Sequence, residues 1–229
     1  MLSIIIPTLN EQETISRSLV ALQPLRLRGV EVIVVDGGSG DDSTGLAAPL
    51  SDQVIVAERG RASQMNAGAR QSSGEQLLFL HSDTALPEGA PDAIHQALTA
   101  PGCVWGRFDV KIESRLRLLT GVAFMMNLRS RWTGIATGDQ AIFVTRDAFE
   151  RIGGFPAVSL MEDIALSKSL KRLSSPACIR AKVTTSGRRW EKNGIVRTVL
   201  LMWRLRLAYF FGVDPSRLAE QYAHARRGA

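Results

Sequence analysis

The residues of this chain best suited to chemistry follow a short apolar run at positions 77–80. Such a run is typical of a strand buried on both faces of a parallel sheet. His81 and Asp83 come directly after it, where open α/β sheets bind ligands, and alternation along an extended segment directs both to the same side. An imidazole and a carboxylate together suit a divalent cation, Mn2+ or Mg2+, that also holds phosphate oxygens. A simple turn before Pro87 is the alternative, and in isolation the two interpretations are about equally favoured.

The elements that must position these residues alternate between strand and helix. Apolar runs predict strands at 3–6, 31–35, 53–57 and 77–80, the first of them stopped by Pro7. Helices are predicted through 15–22, from a start at 42–44, and over 62–71. This alternation predicts a doubly wound, mostly parallel sheet flanked by helices.

Three of the predicted strands end in polar loops at one edge of this sheet, at residues 7–11, 36–39 and 81–83. A single strand-end aspartate is usually a turn residue or a helix cap, but three polar strand ends in one crevice indicate a ligand site. Asp36 is placed to accept hydrogen bonds from a ribose or a base. The first strand is followed by TLNE instead of a glycine triad, and no Walker loop occurs. The sequence therefore predicts a nucleotide site that serves neither NAD nor ATP hydrolysis.

Composition describes an ordinary globular protein of 229 residues, with 45% apolar and 22% charged residues. The net charge is +6, and 23 of the 28 basic residues are arginine. Because arginine can bind phosphate through two hydrogen bonds at once, the composition favours anionic substrates or an anionic membrane surface. No basic stripe with interleaved aromatic residues occurs, so nucleic acid is not expected as a partner.

The cysteines and the apolar segments predict a cytoplasmic protein. Cys103 and Cys178 lie far apart without metal-ligand spacing, which indicates free thiols in a reducing compartment. The first residues lack the basic start and the apolar length of a signal peptide. No stretch reaches the roughly 20 apolar residues of a membrane-spanning helix. Peripheral contact at the cytoplasmic face of a membrane stays open.

Five short motifs, in order, resemble those of family 2 glycosyltransferases of the GT-A fold, and most closely the arsenosugar-biosynthesis-type subgroup. Family members carry PxxNE, VVDDGS, a DxD-type metal motif, an ED acceptor-base motif and an RW pair. The corresponding residues here are PTLNE from Pro7, VVDGGS ending at Ser39, HSD at 81–83, Met161-Glu162-Asp163, and GRRW ending at Trp190. Each motif alone is weakly specific, but five in this order make a chance match implausible.

Two positions depart from the family pattern. His81 replaces the first acid of the DxD motif, which leaves Asp83 as the principal metal ligand. Gly37 replaces the second acid of VVDDGS, so Asp36 alone must serve the nucleoside. These departures concern the donor and the metal preference and leave the fold unaffected.

The resemblance implies a single GT-A domain at 1–194, with a donor half at 1–100 and an acceptor half at 101–194, followed by a helical extension at 195–229. It implies metal-dependent, inverting transfer from a nucleoside-diphosphate sugar, most simply a UDP-sugar, with Mn2+ or Mg2+ and no organic cofactor. The catalytic pair would be Asp163 as base with Glu162 orienting it or raising its pKa. The expected donor-binding residues are Pro7, Thr8, Glu11, Asp36, Gly38, Arg61, Gln64, Asn66, His81, Ser82, Asp83, Asp139, Arg188, Arg189 and Trp190.

Plainer interpretations of these motifs remain open. Glu162 and Asp163 near a helix start would also complement the helix dipole. The arginines of GRRW, expected in a loop beside the donor's diphosphate, would also be explained as solvated side chains. At the level of function, the alternatives are a nucleotidyltransferase that makes the sugar nucleotide, and an inactive subunit that binds it. The acceptor is either a small molecule or a lipid-linked one.

Two later segments have an apolar stripe at helical spacing between arginines. In the segment 115–131, core packing with solvated arginine ends is favoured over an acceptor-side or membrane-facing helix. The segment 195–211 carries a stripe of Val196, Leu200, Trp203, Leu207 and Phe210. We expect this stripe to be buried against the core or in a homodimer, with an interfacial membrane helix as the alternative. Between the donor motifs and these segments, residues 104–112 alternate like a half-exposed strand, and we expect this strand to pair antiparallel with the sheet.

Overall fold

One β-sheet runs through the whole of the structure, which is a computed structural model that describes residues 1–227 without the side chains of Arg189, Asn193 and residues 223–227. Its strands, in chain order, are β1 (Leu2–Thr8), β2 (Glu31–Asp36), β3 (Gln53–Val56), β4 (Gln76–Phe79), β5 (Thr84–Ala85), β6 (Trp105–Glu113), β7 (Ile142–Thr145) and β8 (Ala177–Ser186). Their spatial order is β3-β2-β1-β4-β7-β6-β8-β5.

Helices cover both faces of this sheet. They are α1 (Ile15–Arg26), α2 (Ser43–Ala47), α3 (Arg61–Gln71), α4 (Ala90–Thr99), α5 (Leu118–Thr133), α6 (Arg146–Arg151), α7 (Glu162–Leu170), α8 (Arg188–Asn193), α9 (Ile195–Phe210) and α10 (Pro215–Arg227). Short 3-10 turns form at Ala48–Leu50 and Gly138–Gln140. The mostly parallel α/β fold with a C-terminal helical extension is confirmed. Within the described chain, no helix is both long and apolar enough to cross a membrane.

The parallel half of the sheet follows the sequence expectation, since β3, β2, β1 and β4 all pair in parallel. The expectation that Pro7 stops the first strand is wrong, because β1 continues to Thr8. Ile5 accepts a hydrogen bond from Leu80 on the β4 side of β1. Pro7, two residues on, faces the same side, where β4 has already ended. A residue without a backbone N–H is therefore tolerated there.

The second half of the sheet was only partly expected. As predicted, residues 105–113 form a strand that pairs antiparallel, with β7 as the partner. On its other side β6 pairs in parallel with β8, a strand that the sequence analysis did not identify. Residues 184–186 end this strand and residues 188–193 form α8, so the loop predicted for the GRRW segment is wrong.

The prediction that β6 is half-exposed is also wrong, because β6 is buried on both faces through most of its length. The buried charged side chains of β6 are paired with opposite charges inside the protein. Arg107, fully buried, forms an ion pair with Asp109, and Asp109 pairs with Arg131 of α5 at 2.7 Å. The end of α5 is therefore not simply solvated, because Arg131 is held by this network. Buried charges require such partners.

Two apolar clusters lie on the two faces of the sheet, and a smaller cluster joins α7 to the C-terminal helices. This cluster consists of Met161, Ile164, Leu205 and Leu218. In α5, Leu119 and Ala123 are buried in the core as expected.

The stripe of α9 behaves differently from that of α5. Val196, Leu200, Trp203, Leu207 and Phe210 are 59–74% exposed. The expectation that this stripe is buried against the core is wrong, because α9 turns the opposite side, at Leu205, towards α7.

Candidate active site

A single large cavity of about 1130 Å3 opens where the parallel strands end. It collects many of the side chains that the motifs singled out. Those that line it are Pro7, Thr8, Glu11, Arg61, Gln64, His81, Ser82, Asp83, Asp139, Glu162 and Trp190. The ends of β1 and β4 therefore meet at this cavity as predicted, because parallel strands bring their carboxyl ends to the same edge, whereas residues 36–39 after β2 are not among its described lining.

Gln64 ties two strand ends together at the floor of the cavity. Its amide nitrogen donates hydrogen bonds to the carbonyls of Thr8 at 2.8 Å and Val35 at 2.7 Å. A Cβ added at Gly37 would lie 3.0 Å from the Gln64 side chain. The glycine that replaces the family's second acid therefore leaves the space that this buried glutamine fills.

Asp36 is buried and stabilises its own loop. One carboxylate oxygen accepts from the backbone N–H groups of Gly38 and Ser39, both at 2.8 Å, and the other accepts from the Ser39 hydroxyl. Among the described residues, Asp36 and Gly38 do not line the cavity. Their direct contact with a nucleoside stays a prediction, while the structure shows Asp36 shaping the loop.

His81 faces the 3-10 turn at Gly138–Gln140. Its Nδ1 lies 3.3 Å from Asp139 Oδ1, and its side chain is 13% exposed. A Cβ at Gly138 would come 2.6 Å from His81 Cε1, so glycine is needed for this close approach. Asp83 is on the same wall, with Thr84 Oγ1 at 3.3 Å from Asp83 Oδ1.

These residues fit a cation that is shared with a ligand. In the described part of the chain, no group of three histidine, cysteine or acidic side chains is gathered tightly enough to hold a metal ion alone. Asp83, Asp139 and His81 nevertheless line the same cavity. Mg2+ and similar ions are often bound by one or two carboxylates plus substrate phosphates, and this ligand set suits that mode.

Glu162 and Asp163 face different neighbours, although they are adjacent at the start of α7. Glu162 is 7% exposed, lines the cavity and lies 3.8 Å from Arg61 Nη1. Burial, together with the charge of Asp163, raises the pKa of Glu162, and Arg61 opposes this effect only in part.

Asp163 is held by backbone amides. Its Oδ2 accepts from Gly138 N at 3.0 Å and its Oδ1 from Ile164 N at 2.7 Å. Its carboxylate does not belong to the described lining of the cavity. The structure thus brings Glu162 to the wall and fixes Asp163 behind the turn that carries Asp139.

The GRRW segment contributes its tryptophan. Trp190 lines the cavity and packs against the core. Arg188 is exposed and is not itself among the described lining residues, but it donates to the hydroxyl of Ser186, which lines the cavity, at 3.1 Å. The side chain of Arg189 lies outside the described residues.

Asn66 has a structural position. Its amide donates to the Phe155 carbonyl and accepts from the Phe155 N–H, both at 2.9 Å. This pair of hydrogen bonds ties α3 to the turn before α7. Asn66 is not among the described residues that line the cavity.

Sequence analysis missed an arginine group and an apolar wall. Arg59, Arg129, Arg197 and Arg206 also line the cavity. Arg129 had been expected at a solvated helix end, but its Nε and Nη2 are buried and the residue lines the cavity. The apolar wall comes from the same two helices and from the loop before α7. Its residues are Leu118, Val122, Met125, Met126, Val158, Leu160, Leu201, Met202 and Trp203.

The parallel half-sheet, the mixed second half and the cavity at the ends of the parallel strands, lined by acidic and arginine side chains, together form the arrangement of a GT-A fold. Residues 3–153 match the model for Glycosyl transferase family 2. Over 244 aligned residues the chain is 34% identical to an uncharacterised glycosyltransferase of Mycobacterium tuberculosis, covering 98% of this chain and 90% of that protein. The chain therefore belongs to glycosyl transferase family 2.

Two solved structures share the fold. One is glucosyl-3-phosphoglycerate synthase from Mycobacterium tuberculosis with Mn2+, UDP and glucosyl-3-phosphoglycerate, at a TM-score of 0.59 and 20% identity over 81% of this chain and 70% of that one. The other is a mannosyltransferase from Pyrobaculum calidifontis with GDP-Man and Mn2+, at a TM-score of 0.60 and 23% identity. That match covers 90% of this chain and 60% of the other.

Proposed function

We propose that this glycosyltransferase moves a sugar from a nucleoside-diphosphate sugar, most simply a UDP-sugar, to an acceptor hydroxyl with inversion at the anomeric carbon. The observation that carries the proposal is the cavity that His81, Asp83, Asp139 and Glu162 line together at the ends of the parallel strands. The two related folds, which hold UDP or GDP-Man together with Mn2+, support this class of donor. Membership of the arsenosugar-biosynthesis subgroup stays a prediction.

The proposed reaction is a direct displacement. The acceptor oxygen attacks the anomeric carbon, the bond from that carbon to the diphosphate oxygen breaks, and the nucleoside diphosphate leaves with the bonding electrons. Asp163, held by Gly138 and Ile164, is the proposed base that takes the hydroxyl proton. Its carboxylate is not part of the described cavity lining, so this role requires the turn at Gly138–Gln140 to shift when the acceptor binds, since catalytic contacts often close only in the substrate complex. Glu162 is less suited to this role because Arg61 faces its carboxylate. It contributes negative charge beside Asp163. No covalent enzyme intermediate is required.

Asp83 is the proposed principal ligand of Mn2+ or Mg2+, with His81 and Asp139 beside it. A divalent cation at this position supplies electrostatic stabilisation of the departing diphosphate. Asp139 Oδ1 also lies 3.3 Å from His81 Nδ1. His81 therefore orients Asp139 as well as contributing a nitrogen atom. The remaining sides of the donor are enclosed by Arg61, Ser82 and Trp190.

The exposed stripe of α9 is proposed to lie on an anionic lipid surface. At 100° per residue, the exposed Arg197 and Arg204 fall on one side of the stripe, as in an interfacial helix, whereas Arg206 on the other side is turned into the cavity. Exposed Leu118, Met125 and Trp203 line the cavity too, so the apolar surface continues into its mouth. A second copy of the chain is a poorer occupant, since a two-fold contact would bring like charges together.

This part of the proposal places the enzyme in the cytoplasm, against the inner face of a membrane. Anionic lipids on that face attract arginine side chains. An acceptor that is linked to a lipid could then enter from the membrane side, while the nucleotide sugar enters from solution.

A donor panel tests the activity. Purified protein is incubated with UDP- and GDP-sugars, Mn2+ and a candidate acceptor, and release of the nucleoside diphosphate is measured. Acceptor-dependent release from one donor is expected. Release of pyrophosphate from a nucleoside triphosphate and a sugar phosphate would instead indicate a nucleotidyltransferase. Donor binding without turnover of any donor would indicate an inactive binding subunit.

A further inference from the structure

Arg129 of α5 and Arg206 of α9 carry buried guanidinium nitrogens that lack partners. Among the described side chains, Arg129 Nε and Nη2 and Arg206 Nε are buried without a hydrogen-bond partner. Leaving a charged donor buried and unsatisfied is costly, and native proteins rarely do so without a reason. Two such side chains on facing helices call for a ligand.

The charges around Arg129 and Arg206 also disfavour two unpaired guanidinium groups. Burial, together with the nearby charges of Arg206 and Arg107, lowers the pKa of Arg129 to about 10, and Asp163 opposes them only in part. The charge of Arg107 is already matched by Asp109. An anion placed between Arg129 and Arg206 would therefore satisfy both the unpaired donors and the repulsion between the two arginines.

The position of the pair indicates which part of a substrate it contacts. Both residues line the active-site cavity, on the wall built from α5 and α9. The acidic group that influences Arg129 is Asp163, the proposed base, and not the Asp83 site of the donor. The neighbouring wall is apolar, formed by Met125, Met126 and Met202 among others.

We infer that Arg129 and Arg206 bind a phosphate group of the acceptor, so that the acceptor is a phosphate-bearing molecule whose apolar portion lies along α5 and α9. Planar guanidinium groups suit this role, because each can donate two parallel hydrogen bonds to phosphate oxygens. The inference rests on the proposed function, because only a glycosyl transfer makes the bound molecule an acceptor. The binding of phosphate can nevertheless be measured without turnover.

The main alternative for the pair is the diphosphate of the donor. The two assignments predict different results when UDP and phosphate compete for the protein. If the pair holds the acceptor, phosphate binds while UDP occupies the donor site. If the pair holds the donor, UDP excludes phosphate.

Calorimetry on the full chain tests this, with UDP and Mg2+ present at saturating concentration. The probes are inorganic phosphate, octyl phosphate and octanol. Arg129→Gln and Arg206→Gln are compared with Arg180→Gln, an exposed arginine on β8 outside the cavity lining. We expect octyl phosphate to bind the wild type and the Arg180 variant alike. Each cavity variant should bind it roughly tenfold to hundredfold more weakly, the effect of losing a charge-assisted hydrogen bond.

The probes also separate the two sources of phosphate. Tighter binding of octyl phosphate than of inorganic phosphate indicates a lipid phosphate, and equal binding indicates a small phosphorylated acceptor. Competition between UDP and phosphate, or unchanged phosphate binding in both cavity variants, would overturn the inference.

A fall in melting temperature without loss of phosphate binding would mean that the two arginines serve stability alone. UDP binding in the same titrations is the separate readout of the proposed function. Wild type that binds UDP but no phosphate refutes only the inference made here.

Discussion

Gly138 donates its backbone N–H to Asp163 Oδ2 at 3.0 Å, which joins the turn before β7 to the first turn of α7. The same glycine lies against the His81 ring. One residue without a side chain thus connects the proposed base to the proposed metal side of the cavity. The position of Asp163 relative to His81 therefore depends on contacts with Gly138, which belongs to neither of the two motifs.

Replacing Gly138 with Ala should lower kcat while leaving the protein folded. The added Cβ would come 2.6 Å from His81 Cε1, so either the ring or the turn must move and loosen the hold on Asp163. We expect a loss of roughly tenfold or more, because small displacements of catalytic groups are costly. Gly40→Ala is the matched control, since Gly40 is exposed, lies outside the described cavity lining and has no atom within 4 Å of its added Cβ. Unchanged kcat in the Gly138 variant would show that this contact does not position the base.

Asp163→Asn should abolish transfer and preserve UDP binding. Removal of the acceptor proton typically contributes 10²–10⁴-fold, about 3–5 kcal/mol. The companion variant is Glu162→Gln, which keeps the size of the neighbouring side chain. Near-normal turnover by Asp163→Asn, together with an inactive Glu162→Gln, would move the base to Glu162. In that case the acidic limb of the pH–rate profile should lie above the ordinary glutamate range, because the pKa of Glu162 is raised.

Asp83→Ala should remove the metal dependence of donor binding. Asp83 is the acid of the HSD motif, and the described residues offer no three-ligand cluster to replace it. Calorimetry of UDP with and without Mn2+ measures the effect. Metal-dependent binding that persists in the variant would disprove the assignment. His81→Asp should retain activity and shift preference towards Mg2+, because carboxylate oxygens suit that ion better than imidazole does.

Liposomes rich in anionic lipid should sediment the protein, and rising salt should release it. Screening over about 10 Å at 0.1 M salt weakens the attraction between arginines and lipid. Changing the exposed Arg197 and Arg204 to Ser should abolish liposome binding. The control changes two exposed arginines away from α9, Arg70 and Arg180, which removes the same charge and should leave most of the liposome binding. A dimer in solution that ignores liposomes would assign the stripe to a second copy instead.

Arg129→Met should stabilise the fold at neutral pH. The folded pKa of about 10 lies below the ordinary value of an arginine, so the charged form costs stability, by roughly 1–3 kcal/mol. Below pH 10 both folded and unfolded chains carry the proton, and the whole cost is present. Above it the folded state gives up its proton first, so wild-type stability rises and the gap to the variant closes. Urea unfolding at pH 7 and pH 10.5 measures this gap. A destabilised variant at pH 7 would show that Arg129 has a partner that offsets its burial.

Much of the donor half could be predicted from the sequence because its signals are local. Apolar runs that end in polar loops mark β1, β2 and β4, and parallel pairing alone brings those loops together. The same reasoning located His81, Asp83 and Glu162 at the cavity. It did not predict that the side chains of Gln64 and Asn66 form hydrogen bonds with backbone groups, because those groups lie 29 to 89 residues away in the chain.

By itself, the sequence determined the family, the parallel half-sheet and the residue types that reach the crevice. Only the tertiary structure decided which charges are buried and which apolar stripes are exposed. β8 is held by pairing with β6 across more than sixty residues of chain, and no local pattern announced it. Periodicity predicted an apolar stripe on both α5 and α9, yet one is packed and the other faces outwards. A stripe specifies a face of a helix, whereas burial depends on what the rest of the chain places against that face.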